Sequence, residues 1–359
     1  MAIAWKPARK SASSVSKPGP SRRFRWKLKS GANAAKSSTA TATTGTAETS
    51  GANAGVGGAR AANAGYVGRF APSPTGDLHL GSLYTAVASY LDARAHGGRW
   101  LLRVEDLDRP REIPGSTDAI LATLEAFGFE WDGAVIRQSA RQDAYAAALE
   151  RLQEHGLLFQ CSCSRQDLAE EERYPGTCRE GPRLAGVATG SRLRVEPRQI
   201  HFIDRIQGHF RQDVAAACGD ILLKRRDRIY AYVLAVVVDD ADSGVTHVLR
   251  GADLLDNTPR QIYLQQALGL PTPTYAHVPL ITEPEGAKLA KSKRSVRLDR
   301  NTPPAQLRLV FDLLGLAPPE DLARMRIDAA WRWGIAHWEL RRVPKSLCLA
   351  LSLDAQLPD

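Results

Sequence analysis

The chain has 359 residues, enough for two or three domains, and its 43% of hydrophobic residues is ordinary for a soluble globular protein. Of its formal charge of +9, residues 1–65 carry +10, from eleven Lys or Arg and one acid, so residues 66–359 carry −1. The charge therefore gives no evidence that the folded body binds nucleic acid. No apolar run approaches the ~20 residues that cross a bilayer, which excludes a membrane-spanning protein.

Residues 1–65 are predicted to be a disordered, basic, low-complexity extension. They are dense in Ala, Gly, Ser and Thr and poor in aromatic residues, so they cannot bury enough apolar surface to fold. A misassigned start codon or an organellar transit peptide would have the same composition, and these alternatives stay open. Five cysteines, three of them clustered, argue against a disulfide framework and for a reducing compartment such as the cytoplasm.

Residues 66–156 are predicted to be the first half of a Rossmann-type catalytic domain. The predicted elements are strands 66–70 and 100–104 and helices 82–94, 116–127 and 140–155. A strand, a loop bent by Pro and Gly, a helix and a second strand are typical of a doubly wound parallel sheet. Residues 157–220 interrupt this alternation and are predicted to be a small inserted domain.

The alternation resumes in residues 221–300, the predicted second half of the catalytic domain. Its predicted elements are strands 221–223, 230–238, 246–249 and 278–282 and helix 258–268. The valine-rich run 230–238 is interpreted as a buried parallel strand, because such strands are apolar on both faces. Residues 301–359 are predicted to be a short helical, stem-like region. The expected fold class is therefore α/β, a doubly wound parallel sheet with an insertion and a C-terminal helical region.

The segment 70–82, with the sequence Phe-Ala-Pro-Ser-Pro-Thr-Gly-Asp-Leu-His-Leu-Gly-Ser, links the first strand to the first helix. Such a junction directs backbone N–H groups and the helix dipole at one point, where phosphate can bind. His79 would donate to a phosphate oxygen, and Gly81 would let a nucleotide lie close to the helix. The tract Lys288-Leu289-Ala290-Lys291-Ser292 supplies two lysines on a polar loop. Together the two segments predict attack on the α-phosphorus of ATP.

Three cysteines fall within eighteen positions, at Cys161, Cys163 and Cys178. In a reducing compartment this cluster predicts a structural zinc ion in the inserted domain, because zinc takes four ligands and prefers thiolates. From the residues alone, the fourth ligand could be Tyr174, His155, a carboxylate or water.

These motifs resemble those of the class I aminoacyl-tRNA synthetases of the glutamyl branch. The HIGH-type motif of that family corresponds to His79-Leu80-Gly81-Ser82, and its KMSKS-type motif to the lysine tract 288–292, where Ala290 replaces the usual Ser. Further similar segments are 102–108 (LRVEDLD), 237–240 (VVDD) and 249–253 (LRGAD). The resemblance covers about residues 66 to 300. The cysteine pattern is similar to that of the short branch of the family, the glutamyl-Q tRNA(Asp) synthetases.

The residues themselves fit a glutamate site. Arg69 and Arg250 lie at the ends of predicted strands and could each hold a carboxylate, while Glu105, at the C-terminal end of the second strand, could take the ammonium group. Strand ends converge on one crevice in an open α/β sheet, and Tyr232 offers a hydroxyl there. Which arginine holds which carboxylate stays open.

The resemblance implies a role for each site residue. It implies glutamate contacts at Arg69, Phe70, Ala71, Pro72, Ser73, Glu105, Tyr232 and Arg250. It implies ATP contacts at His79, Gly81, Ser82, Lys288 and Lys291, with His79 and Lys291 as the catalytic pair and Mg²⁺ accompanying ATP. It implies that one zinc ion is held by Cys161, Cys163, Tyr174 and Cys178.

The resemblance also implies a reaction. Glutamate is activated to glutamyl-adenylate without tRNA and is then transferred to the queuosine base at the wobble position of tRNA(Asp). Only 68 residues follow Lys291, so an anticodon-binding region is not expected. A compact glutamyl-tRNA synthetase that charges tRNA(Glu) is one alternative, and a catalytically silent RNA-binding relic is another. A cytoplasmic monomer without membrane contact is expected.

Overall fold

The computed structural model describes residues 65–282 and 298–351. The lysine tract 288–292 and all but one residue of the predicted extension 1–65 lie outside these described residues. Within them, no helix combines the length and the apolar character that a membrane crossing requires.

Strands and helices alternate along most of the chain. The strands are β1 (Val67–Phe70), β2 (Arg99–Val104), β3 (Ile136–Arg137), β4 (Leu158–Cys161), β5 (Gly190–Leu193), β6 (Gln199–Asp204), β7 (Gly208–Asp213), β8 (Ile221–Lys224), β9 (His247–Gly251), β10 (Thr274–Val278), β11 (Leu280–Thr282) and β12 (Cys348–Ala350). The helices are α1 (Leu80–Ala95), α2 (Ser116–Ala126), α3 (Gln142–Glu154), α4 (Val214–Cys218), α5 (Tyr232–Asp242), α6 (Thr258–Leu268), α7 (Pro303–Leu313) and α8 (Ile327–His337).

The catalytic body is built on parallel strands, as the sequence predicts. Strands β1, β2 and β3 are parallel neighbours, and β9 pairs in parallel with β10. The two groups meet between β1 and β9, where the backbone N–H of Thr246 donates to the carbonyl of Val67 at 3.0 Å. The strand order is therefore β3-β2-β1-β9-β10, with β2 and β3 on one side of β1 and β9 and β10 on the other. In doubly wound sheets, ligands bind at the point where the strand order reverses in this way. The predicted α/β fold class is confirmed.

Two apolar layers cover the sheet. On one face, α1 packs against β1, β2 and β9 and is covered in turn by α7 and α8, with Trp100 and Phe311 fully buried. On the other face, α3, α5 and α6 pack together over residues such as Leu101 and Tyr145. Each large apolar side chain that is buried stabilises the folded state by about 1.5–3 kcal/mol. The two layers therefore hold the sheet firmly in place.

The prediction of a strand at 230–238 is wrong, because this segment belongs to helix α5 (Tyr232–Asp242). Residues 234–240 are all buried, so the run has no polar face that would reveal a helical period. A short apolar run cannot be assigned by periodicity alone, and packing overrides the β-propensity of valine. The predicted strand 278–282 is also divided: Val278 is the last residue of β10, Pro279 interrupts the strand, and residues 280–282 form β11.

The inserted segment is antiparallel, in contrast to the body. Its strands β4 and β5 form one small sheet with β8, which follows the segment in the chain, and β6 and β7 form a hairpin. The hairpin is anchored through Arg205, which pairs with the fully buried Asp92 at 2.6 Å. Asp92 also accepts hydrogen bonds from Tyr66 Oη and from the Trp338 indole. One carboxylate thus joins β1, the hairpin and the C-terminal region, while the predicted domain boundaries stay a prediction.

Candidate active site

His79 lies at the start of α1 and caps it. Its Nδ1 accepts a hydrogen bond from the backbone N–H of Ser82 at 3.3 Å. Burial lowers the pKa of His79 below the ordinary value of 6.5, so the ring is neutral at pH 7 and its proton is on Nε2. The imidazole therefore presents a neutral N–H donor at the N-terminal end of a helix.

Gly81 provides the space for the His79 ring. A Cβ at position 81 would lie 3.1 Å from Cε1 and 3.2 Å from Nδ1 of His79. These distances are tighter than ordinary carbon contacts of 3.5–4.0 Å. Any larger residue would displace the imidazole from the first turn of the helix.

Ser116, the first residue of α2, fastens the loop between β1 and α1. Its Oγ donates to the Gly76 carbonyl at 2.8 Å and accepts from the Gly76 N–H at 3.1 Å. At the other end of the loop, the N–H of Glu105 donates to the Pro72 carbonyl at 2.9 Å. The loop is thus held by β2 and α2 at once, and sequence reasoning missed the role of Ser116.

The loop forms one wall of a crevice of about 690 Å³, which lies within the usual range for small-molecule sites. Segments that follow β9 and β10 form the opposite wall. Six of the predicted site residues line the crevice: Phe70, Pro72, Ser73, His79, Gly81 and Ser82. Ala71 is half-buried between two of them. Lys288 and Lys291 lie outside the described residues, so their predicted ATP contacts stay a prediction.

Arg69, on β1, is buried and held by Asp240 of α5, with Nε 3.3 Å from Oδ1. The same carboxylate oxygen accepts from Nη1 of Arg103 at 2.5 Å. Burial alone would raise the pKa of Asp240, but Arg103 and Arg69 hold it below its ordinary value. Asp240 therefore stays ionised and compensates two buried cations.

Glu105 follows β2 directly, as predicted, and its Oε1 accepts from Nη2 of Arg103 at 3.3 Å. Burial raises the pKa of Glu105 above its ordinary value of 4.5, although Arg103 and Arg69 oppose the shift. A carboxylate in this position attracts an ammonium group, and the positive charge of that group would stabilise the ionised form of the carboxylate.

Arg250, on β9, is buried at the same edge of the sheet. Its Nε donates to His277 Nε2 at 3.1 Å, and its Nη2 donates to Thr258 Oγ1 at 2.8 Å. Its Nη1 is buried and has no hydrogen-bond partner within the described parts of the chain. A buried N–H without a partner is costly, so a ligand oxygen is the expected partner.

Tyr232 lies near Glu105, Arg250 and Arg69, but it is the first residue of α5 and does not come from a strand end. Burial raises the pKa of its hydroxyl, and Glu105, Arg250 and Arg69 act on that pKa as nearby charges. The side chain is surrounded by protein groups, yet 37% of the residue faces solvent. The structure thus brings four predicted glutamate contacts, Arg69, Glu105, Tyr232 and Arg250, to one place.

Sequence reasoning missed the partners that hold these groups, Arg103 and Asp240. Both lie in segments that supported the family resemblance, but nothing had assigned them a role. Arg103 is 1% exposed and lies in the buried, otherwise apolar part of β2, residues 100–104, and a buried arginine needs a partner carboxylate. That requirement could have suggested the pairing.

The three predicted thiols form a cluster that could hold a metal ion. The Sγ atoms of Cys161, Cys163 and Cys178 all lie within 4.8 Å of one another, and the last two are 3.6 Å apart. Zn–S bonds of about 2.3 Å in tetrahedral geometry would separate two sulfurs by about 3.8 Å. The cluster therefore matches the size of a metal centre.

Without a bound metal ion, the electrostatics of the cluster favour a thiolate at Cys178 but not at Cys163, whose pKa is raised to about 12 by burial and by the neighbouring thiols. Burial alone would raise the pKa of Cys178, but hydrogen bonds from the backbone N–H groups of Arg183 and Ser162 lower it to about 6. Tyr174 Oη accepts from the Cys178 N–H at 2.8 Å and lies 3.4 Å from Cys161 Sγ. Among residues 65–282 and 298–351, no histidine or carboxylate joins the three sulfurs, so the suggestion of His155 as a ligand has no support.

Known proteins match most of the chain. The family profile described as "tRNA synthetases class I (E and Q), catalytic domain" matches residues 66–323. The glutamyl-Q tRNA(Asp) synthetase of Pseudomonas aeruginosa strain PAO1 is 54% identical over 285 residues, which cover 79% of this chain and 97% of that protein. The glutamyl-Q tRNA(Asp) synthetase of Ectopseudomonas mendocina is 54% identical over 296 residues, covering 82% and 99%.

The fold has a counterpart among solved structures. The glutamate-tRNA synthetase of Elizabethkingia anophelis superposes with a TM-score of 0.68 at 26% identity, covering 80% of this chain and 68% of that chain. The sequence resemblance and the structural resemblance therefore agree. The chain belongs to the class I tRNA synthetases (E and Q), within the group of the glutamyl-Q tRNA(Asp) synthetases.

Proposed function

We propose that the protein activates glutamate with ATP to glutamyl-adenylate, without tRNA, and transfers glutamate to the queuosine base at the wobble position of tRNA(Asp). The observation that carries the amino acid specificity is a group of charges around Tyr232: the buried arginines Arg69 and Arg250 and the carboxylate of Glu105 all act on its hydroxyl. Two cations and one anion complement the two carboxylates and one ammonium group of glutamate.

The charges in the crevice explain why these groups are available to a ligand. Asp240 forms ion pairs with Arg69 and Arg103 and so balances their positive charges, and Arg103 forms a further ion pair with Glu105. Arg250 has a terminal nitrogen for which the described residues offer no acceptor. A glutamate carboxylate supplies that acceptor, and a charge-assisted hydrogen bond of this kind is about twice as strong as a neutral one.

The chemistry of activation needs positioning and electrostatics. An oxygen of the substrate α-carboxylate attacks the α-phosphorus of ATP, the bond to the β-phosphate breaks, and pyrophosphate leaves with its electron pair. No general base is required, because the carboxylate is already ionised. His79 donates a hydrogen bond from its Nε2–H group to a phosphate oxygen and stabilises the negative charge that develops there. Mg²⁺ accompanies ATP, and Lys288 and Lys291 are proposed to neutralise the phosphates.

The second step is supported by the relatives. Proteins called glutamyl-Q tRNA(Asp) synthetases are 54% identical to this chain over nearly their whole length. A tRNA(Asp) that carries queuosine is therefore the proposed acceptor, and the cytoplasm, where ATP and tRNA are available, is the proposed compartment.

We also propose that the cysteine cluster holds one structural zinc ion, with Tyr174 as the fourth ligand. The three sulfurs lie within 4.8 Å of one another, Tyr174 Oη lies 3.4 Å from Cys161 Sγ, and thiolates are preferred zinc ligands. The group is part of the inserted domain, so the ion would stabilise that domain and take no part in adenylate formation.

The test of function is the transfer of radiolabelled glutamate to RNA. The proposal predicts labelling of queuosine-containing tRNA(Asp), with no labelling of queuosine-free tRNA(Asp) or of tRNA(Glu). Labelling of tRNA(Glu) at its 3′ end would favour a compact glutamyl-tRNA synthetase and contradict the proposal.

A further inference from the structure

We propose that Asp204 and His277 are positioning residues, which set the orientation of the Arg250 guanidinium for the substrate carboxylate. The inference rests on the proposed function, because it takes glutamate as the ligand of Arg250. Both side chains are completely buried. Asp204 is the last residue of β6 in the inserted segment, so the insertion helps to build the amino acid site.

The three side chains form a linear relay of hydrogen bonds. Asp204 Oδ2 lies 2.6 Å from His277 Nδ1, and Arg250 Nε lies 3.1 Å from His277 Nε2. Arginine can only donate, so Nε2 of His277 must accept. The ring proton is then on Nδ1, and Asp204 accepts it. Burial lowers the pKa of His277, in agreement with a neutral ring.

The relay decides which nitrogen of Arg250 meets the ligand. His277 occupies Nε, and Thr258 occupies Nη2 at 2.8 Å. Nη1 is left buried, with no acceptor in either described stretch of the chain. Turning the guanidinium would break the hydrogen bonds from Nε to His277 and from Nη2 to Thr258 and the Leu254 carbonyl, so these partners together hold its orientation.

Asp204 is itself fixed by the backbone. Its Oδ1 accepts from the N–H groups of Ile206 at 3.0 Å, Gln207 at 2.8 Å and His277 at 3.1 Å. Only Oδ2 is directed at the imidazole. Because Oδ1 and Oδ2 have separate roles, an amide at position 204 would keep the backbone hydrogen bonds and alter the relay alone.

The variants follow from this geometry. Asp204→Asn keeps Oδ1 but places an NH2 group against His277 Nδ1, which drives the ring proton to Nε2, against Arg250. His277→Gln can accept from Arg250 and donate to Asp204, whereas His277→Leu can do neither. We expect Asp204→Asn and His277→Leu to weaken glutamate binding by about 10- to 100-fold. We expect His277→Gln to bind glutamate nearly as tightly as the wild-type protein does. The affinity for ATP should be the same in all three variants.

Calorimetric titration of the full chain with glutamate and with ATP decides the matter. Asp220→Asn is the matched control, because Asp220 is a buried carboxylate of the insertion that pairs with Arg179, away from Arg250; its glutamate affinity should not change. Glutamate binding by Asp204→Asn at the unchanged affinity would overturn the inference. If that variant fails to fold, equal losses in His277→Gln and His277→Leu would overturn it. Failure of the unchanged chain to bind glutamate would instead overturn the proposed function as well.

Discussion

Arg103 donates from Nη1 to Oδ1 of Asp240 at 2.5 Å, and both side chains are buried. The same oxygen accepts from Arg69 at 3.3 Å, so Asp240→Asn would leave two buried cations undercompensated. We expect the free energy of unfolding to fall by about 3–5 kcal/mol, measured by urea denaturation. Glutamate affinity should fall too, because Arg69 loses its anchor.

A nearby carboxylate on the same helix gives the control for this prediction. Asp242 pairs with Arg141, but 51% of its side chain is exposed. Exposed pairs contribute about 0–1 kcal/mol, so Asp242→Asn should alter neither stability nor glutamate binding appreciably. Equal losses in the two variants would contradict a specific role for Asp240.

The affinity for glutamate should depend on pH through Glu105. Burial raises the pKa of this carboxyl above 4.5, so it becomes protonated at a higher pH than an exposed glutamate. Protonation removes the negative charge that attracts the ammonium group. Affinity should therefore be constant at neutral pH and fall as the pH decreases through the raised pKa.

Calorimetric titrations between pH 5 and pH 8 would measure this dependence. In Glu105→Gln the affinity should be low and nearly independent of pH over that range. Persistence of the same pH dependence in that variant would assign it to another group.

The two roles of His79 can be separated by one substitution. Asparagine is a good N-cap, so His79→Asn should preserve helix α1 and the melting temperature. Its amide is too short to place a donor where Nε2 of the imidazole lies. Adenylate formation should slow by about 10²- to 10³-fold, the usual effect of losing one donor to a developing charge.

Single-turnover formation of glutamyl-adenylate would report that rate. The exposed His209 offers a comparison, and His209→Asn should retain the full rate. A His79→Asn variant with normal kinetics would show that the residue acts as a cap alone.

Loss of one thiol should affect the metal and the stability more than the chemistry. We expect Cys163→Ser to lower bound zinc, measured by atomic absorption, and to lower Tm by about 5 °C or more. Glutamate KM should change little. Cys218 lies outside the cluster and is half-buried, so Cys218→Ser should keep its zinc. A Cys163→Ser protein with full zinc content would refute the assignment.

The predicted features that the structure bears out depend on local chemistry. Prolines and glycines mark the loop that His79 follows, and short apolar runs mark the strand ends at which Arg69 and Glu105 lie. Cysteine spacing predicted the thiol cluster for the same reason, since Cys161 and Cys163 are close in sequence.

The missed features depend on tertiary contacts. Arg103 and Asp240 are separated by 137 positions, and Asp204 and His277 by 73, so no local pattern joins them. Helix α5 was mistaken for a strand because its burial on nearly all sides hides the helical period. These pairings follow from the order of strands around β1, which a single sequence does not specify.

The central claim is that the crevice activates glutamate by itself. Exchange of labelled pyrophosphate into ATP, measured with glutamate and without any RNA, tests it most directly. The account predicts exchange that depends on glutamate and is reduced at least tenfold in a Glu105→Gln variant, because Glu105 is the proposed partner of the ammonium group. Exchange that starts only when tRNA is added, or no exchange with glutamate at all, would contradict it.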